Sequence, residues 1–198
     1  LSIGVHLLNL LVIPAIVFIY YFKKYETTKW GIIKSAALSI VIQGVIMWGI
    51  IPGVIIVAGW FELLFVNGFG MPFNTGVVIY ALLLIAGLTF GIRYTLKHNH
   101  TVVNTILTCF VVMLIGYSCY AMVVIRSVSN PPIDENSPDN VFALLSYISR
   151  DQYGQEPLVY GPYFNAPVIG VEDAGPIYYQ NEKTGKYDIV DHKKEVKY

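Results

Sequence analysis

Apolar residues fill the first 125 positions of the chain in long blocks instead of alternating with polar ones. A helix needs about 20 apolar residues to cross the hydrocarbon layer of a membrane. Four stretches reach that length: residues 3–22, 32–51, 77–96 and 102–125. A fifth apolar run, residues 54–66, is short, is bounded by Pro52-Gly53 and Asn67-Gly68, and carries Glu62 beside Trp60. Those features predict an interfacial or re-entrant helix. After Arg126 the pattern changes. Residues 129–140 form a polar connector punctuated by proline, and Ser137-Pro138-Asp139 reads as a helix cap followed by proline at the first helical position. The helix predicted there covers 138–151, with Val141, Phe142, Leu144, Leu145 and Ile148 on one face, and stops near Gly154. Farther on, 158–160 reads as a strand, and 177–180 faces 186–190 across a turn at Asn181–Gly185, the pattern of a β-hairpin. The expected fold is an α-helical membrane protein. Four transmembrane helices plus an interfacial or re-entrant helix occupy residues 1–125, and a small α+β extracytoplasmic segment occupies 126–198.

Charge decides between four spans and five. The chain is 55% hydrophobic and only 13% charged, too few charges for an ordinary soluble domain. Residues 1–125 hold six Lys/Arg against two acids, whereas 126–198 hold seven against eleven. With four spans, Lys23, Lys24, Lys29 and Lys34 share a side with Arg93 and Lys97, and the opposite loop at 51–76 has no Lys or Arg. The positive-inside rule then puts the basic loops in the cytoplasm and the tail outside. A fifth span would split the basic loops between two sides. No clustered basic face exists, so no nucleic-acid partner is expected.

Within the helices, Ser35, Ser39 and Gln43 form a polar stripe, and Gly87 and Gly91 a small-xxx-small pair. Both are devices for close helix approach in lipid. His6 and Asn9 share a helical face and suit an interhelical hydrogen bond. Cys109 and Cys119, about 15 Å apart along one helix, are too distant for a disulfide and are expected to be buried thiols. Glu62 is the one acid of this half outside the loop residue Glu26. Its expected place is the solvated face of an interfacial helix, with contact to a lipid-linked substrate or a metal as the functional alternative.

The tail offers little chemistry by itself. Asp134, Asn136 and Asp139 lack the spacing, the glycine and the distal glutamate of a calcium loop and are read as turn and cap residues. Glu172-Asp173 reads as a surface turn. Tyr153, Tyr160, Tyr163, Phe164, Tyr178 and Tyr179 make the segment aromatic, which suits sugar stacking, strands and membrane interfaces alike. No nucleophile elbow, phosphate loop, HExxH or paired-cysteine motif is present, so no catalytic residue, metal or cofactor is assigned. The chain opens at Leu1 inside an apolar stretch and closes at Tyr198 in a Lys-rich one, as a piece of a longer protein would.

Three stretches carry a resemblance: Asn130-Pro-Pro-Ile-Asp-Glu-Asn-Ser-Pro-Asp139, Phe142-Ala-Leu-Leu-Ser-Tyr147 with Arg150-Asp-Gln-Tyr-Gly154, and Pro157-Leu-Val-Tyr-Gly-Pro-Tyr-Phe-Asn165. Together they resemble a family of large bacterial multi-pass membrane proteins grouped with the GT-C glycosyltransferases as protein O-glycosyltransferases. The likeness is strongest over 126–190 and generic over the helices. It implies transfer of a sugar from a polyprenyl-phosphate carrier to a hydroxyl of an exported acceptor protein, in the lipid bilayer of a bacterial inner membrane, with the C-terminal segment periplasmic. The catalytic acid of such enzymes lies in a first outer loop near the N-terminus, outside this fragment. The substrate-binding residues it leaves to expect are Glu62, Tyr160, Tyr163 and Asn165. The competing classes are a non-catalytic scaffold of an envelope or export machine and, with less support, a transporter, which would show broken helices and buried charges at mid-membrane.

Overall fold

The computed structural model of the chain describes residues 7–134, 136–151, 161–163 and 165–197. It is mostly helical and ends in a two-stranded antiparallel sheet. Among the described residues, three helices are long and apolar enough to cross a membrane: Lys29–Gly68, Thr75–Lys97 and Thr101–Val128. The first expected span begins outside the described residues. Its described part is a 3-10 turn at Leu7–Leu11 leading into α1, Val12–Lys24.

The contacts group the chain into two compact units, Leu1–Val54 with Leu83–Pro131 and Ile55–Leu82 with Pro132–Tyr198. In the first, α1 turns back into α2, Lys29–Gly44. The turn closes on Tyr21, whose hydroxyl donates to the Glu26 carbonyl at 3.0 Å and accepts from the Thr28 N–H at 3.0 Å. The Thr28 side chain then caps α2 by accepting from the Gly31 N–H. A Cβ on residue 31 would collide with the Tyr21 ring and hydroxyl, so any residue but glycine there would push Tyr21 out of this turn. Ser35 and Ser39 are buried and Gln43 is half-buried, as a packing stripe requires. The glycine pair behaves unequally. A Cβ on Gly91 would press on Leu107 at 3.2 Å, but around Gly87 there is open space, so close approach rests on Gly91.

The expected break at Pro52-Gly53 does not occur, and 54–66 is no separate interfacial or re-entrant helix. Helix α2 runs through a π turn, Val45–Ile50, into α3, Ile51–Leu63, and through a second π turn, Leu64–Gly68, as one helix of 40 residues. Proline in a helix interior lacks its N–H and clashes with the carbonyl four residues back. The π turn just before Pro52 loosens that stretch: the Ile51 N–H bonds the Ile46 carbonyl, five residues back. The Ile51 carbonyl accepts in addition from the buried Tyr117 hydroxyl at 3.2 Å.

Helix α4, Thr75–Lys97, and helices α5, Thr101–Tyr117, and α6, Tyr120–Val128, complete the apolar part. A turn at Ser118–Cys119 divides the last span. Both cysteines are free, Cys109 exposed and Cys119 half-buried, so the expectation of two buried thiols fails for Cys109, which faces out from the helix.

In the tail, α7 is Val141–Ser149 and starts three residues later than expected. The cap is Asn140, whose Oδ1 accepts from the N–H groups of Phe142 and Ala143 at 2.9 and 3.0 Å. Ser137 cannot serve, because it stands in a left-handed conformation (φ +38°) with Pro138 fully buried after it. The helix ends on Arg150 in the left-handed region, before the expected stop at Gly154, which lies outside the described residues, as does the expected strand at 158–160. The hairpin stands where the pattern puts it but is longer, with β1 at Gly170–Asn181 and β2 at Lys186–Lys197. Its turn is set by Asn181, whose side chain accepts from the Lys183 N–H, and by Gly185 at φ +65°. Glu172 and Asp173 belong to β1, paired with Glu195 and Lys194, and are not a surface turn.

Candidate functional site

The second unit is organised around a buried carboxylate. Glu62, in the last turn of α3, has no exposed surface, and both its oxygens are occupied. Oε1 accepts from the Asn74 N–H at 2.5 Å and from the Tyr187 hydroxyl at 3.1 Å, and Oε2 accepts from the Val77 N–H at 3.2 Å. Asn74 and Val77 flank the start of α4, where backbone N–H groups lack partners inside the helix and the helix dipole is positive. A carboxylate is the side chain that end favours, so Glu62 caps α4 from a different helix. Gly76 makes the approach possible: a Cβ there would run into the backbone of Phe61 and Glu62. The expected solvated position of Glu62 is thus corrected. An unpaired carboxylate under protein would be very costly, and this one is held by three donors.

Tyr187 brings β2 to the same point. Its side chain is 3% exposed, its hydroxyl accepts from Gln180 Nε2 at 2.9 Å while donating to Glu62, and Phe73 and Phe142 both meet its ring edge-on. Burial pushes the phenol well above its ordinary range, the Gln180 donor pulls it down, and the Glu62 charge raises it further. It therefore stays protonated and keeps donating at any physiological pH. Its main chain is gripped as well. Asn67, in the second π turn, donates from Nδ2 to the Tyr187 carbonyl and accepts at Oδ1 from the Tyr187 N–H, both at 2.8 Å. Phe142 of α7 completes the cluster, its ring tilted by 39° against that of Tyr178 with centroids 4.5 Å apart and in close contact with α3 at Gly59.

The expected binding residues differ in their surroundings. Glu62 lies inside this cluster, Tyr163 is 85% exposed, Asn165 is exposed, and Tyr160 lies outside the described residues. Sequence reasoning found Glu62 but missed Asn67, Asn74 and Tyr187, which act on it or beside it. The Asn67-Gly68 pair was visible only as a boundary. Among the described residues, no group of three or more His, Cys, Asp or Glu is placed to hold a metal ion.

Two family models match parts of the chain. Residues 1–29 match the one described as the protein O-mannosyl-transferase TMEM260 N-terminal domain. Residues 154–198, which include the hairpin, match a family of unknown function, DUF8416. No curated protein and no solved structure matches. The glycosyltransferase-like hint thus falls on the first residues of the chain, whereas the sequence resemblance was strongest over the tail.

Proposed function

We propose that the chain is part of a membrane glycosyltransferase-like protein that moves sugar from a lipid-linked donor to exported proteins. The observation that carries this reading is the match of residues 1–29 to an O-mannosyl-transferase N-terminal domain. The three apolar helices supply the setting that a polyprenyl-linked donor needs. In the finer form of the proposal, residues 3–22 add a fourth span, the Lys and Arg loops face the cytoplasm, and the tail is periplasmic. Tyr163 and Asn165, both open to solvent, are then the tail residues available to an acceptor or a sugar. Glu62 serves by fixing the hairpin to the end of α3.

The test is deletion of the gene followed by analysis of glycans on exported proteins. Loss of glycan, restored by the intact gene, supports the transferase; unchanged glycans leave the envelope scaffold as the reading. In a complemented strain, Tyr163→Ala should lower transfer about fivefold, the loss of one aromatic contact of about 1 kcal/mol. Transfer at the parent rate in that variant would remove Tyr163 from the site.

A further inference from the structure

The corner between α4 and α5 is built to a degree that a plain connecting loop does not need. Asn99 takes the left-handed conformation at φ +57°, and the His100 N–H returns to the Thr95 carbonyl at 2.9 Å, a closed helix ending. Asn104 of α5 reaches back to Thr95 Oγ1 at 2.9 Å and to the Ile92 carbonyl at 3.3 Å, and so pins the two helices together. On this frame lies a ladder of rings. Phe90 and Tyr94 have centroids 6.1 Å apart, Tyr94 and His98 4.4 Å, His98 and His100 6.2 Å. Arg93 and Lys97, one helical turn apart, run along the same last turns of α4. Both are exposed, as are His98 and His100, and among the described residues neither cation forms an ion pair.

The surrounding unit is strongly one-signed: Lys23, Lys24, Lys29, Lys34, Arg93, Lys97 and Arg126 stand against Glu26. The partial negative charge at the end of α4 is met by the positive start of α5, so the end of α4 does not by itself repel an anion. Thr75–Lys97 is of spanning length and ends at this corner, which sets the corner at headgroup depth. Exposed Phe90 and Tyr94 rings suit that depth, and unpaired cations there attract acidic lipid.

We propose that Arg93, Lys97, His98 and His100, gathered at the corner between α4 and α5, bind the phosphate headgroup of an anionic phospholipid. The assignment needs neither the transferase reading nor a choice of membrane side. It is tested with the full chain in nanodiscs of phosphatidylcholine with a minor share of phosphatidylglycerol, the lipids that stay bound on release being counted by native mass spectrometry. The wild type should retain phosphatidylglycerol in excess of its share, and the excess should fall as salt rises. Arg93→Gln with Lys97→Gln should reduce the preference on the order of tenfold, whereas Lys183→Gln with Lys186→Gln at the hairpin turn should keep it. Inorganic phosphate at matched ionic strength should not displace the lipid. Lipid retained in the bilayer ratio, a preference indifferent to salt, a loss that follows Lys29→Gln with Lys34→Gln instead, or displacement by free phosphate would overturn the proposal. The salt series uses the wild type alone, so it decides even where a variant folds poorly.

Discussion

Glu62 is held by two backbone donors and one phenol, and each makes a separate demand on the side chain. Glutamine in its place keeps one acceptor oxygen and turns an NH2 group toward a donor. Glu62→Gln should therefore destabilise the second unit by about 1–3 kcal/mol, the usual cost of leaving a buried polar group unsatisfied. Tyr187→Phe should cost less, about 1 kcal/mol, because Asn74 and Val77 still hold the carboxylate. A denaturant series on the four members of the Glu62–Tyr187 double-mutant cycle checks both; additive losses would mean that the pair does not interact. A lone acid in an apolar half announces itself in sequence, which is why Glu62 was legible as special. Its partners were not. Tyr187 lies 125 positions downstream and Asn67 grips the same residue across 120, so no local periodicity links them.

Elements were legible in type and imprecise at their ends, for identifiable reasons. The hairpin turn could be read because Asn181 and Gly185 supply conformations that few other residues adopt. The start of α7 differs from the expected one because Ser137-Pro138 has the chemistry of a cap but not the backbone for one, Pro138 being buried in the connector. Asn140→Ala should thus cost the helix about 1 kcal/mol and Ser137→Ala close to nothing, measured as amide exchange at Phe142 and Ala143. Pro52 reads as a boundary in the sequence because local rules end a helix before proline; a π turn next to it lets the helix continue. In β1, the N–H of Gly175 above all holds the Asp173 carboxyl below its ordinary range, with desolvation working against it and His192 adding to the pull. A carboxylate depressed in the folded state stabilises above its unfolded value and loses that effect as pH falls through the folded one. In an NMR titration, the Gly175 amide should hold its shift through the ordinary carboxylate range and move only below it. Movement within that range would contradict the clamp.

At the scale of the whole chain, hydropathy captured the apolar character of residues 1–125 because bilayer thickness imposes a length that composition alone reveals. It did not show that 55–82 would group with the tail, since that grouping depends on Glu62, Asn67, Phe73 and Gly59 meeting residues far along the chain. If α5 and α6 together cross the bilayer, the corner at 98–100 and Ser129 at the end of α6 lie on opposite sides. With Cys109 and Cys119 replaced by alanine, single cysteines at His98 and Ser129 should be labelled from opposite faces of sealed vesicles, and labelling from one face would remove that span. The double hydrogen bond from Asn67 carries a further consequence. Gln180 and Tyr187 stand opposite each other in the hairpin, and because the N–H and C=O of Tyr187 both go to Asn67, they point away from β1. Asn67 therefore fills, with a single amide, the place where a strand from a second molecule would begin to pair. Asn67→Ala would leave the Tyr187 N–H and C=O without these partners, and open strand groups of that kind are what another chain pairs with.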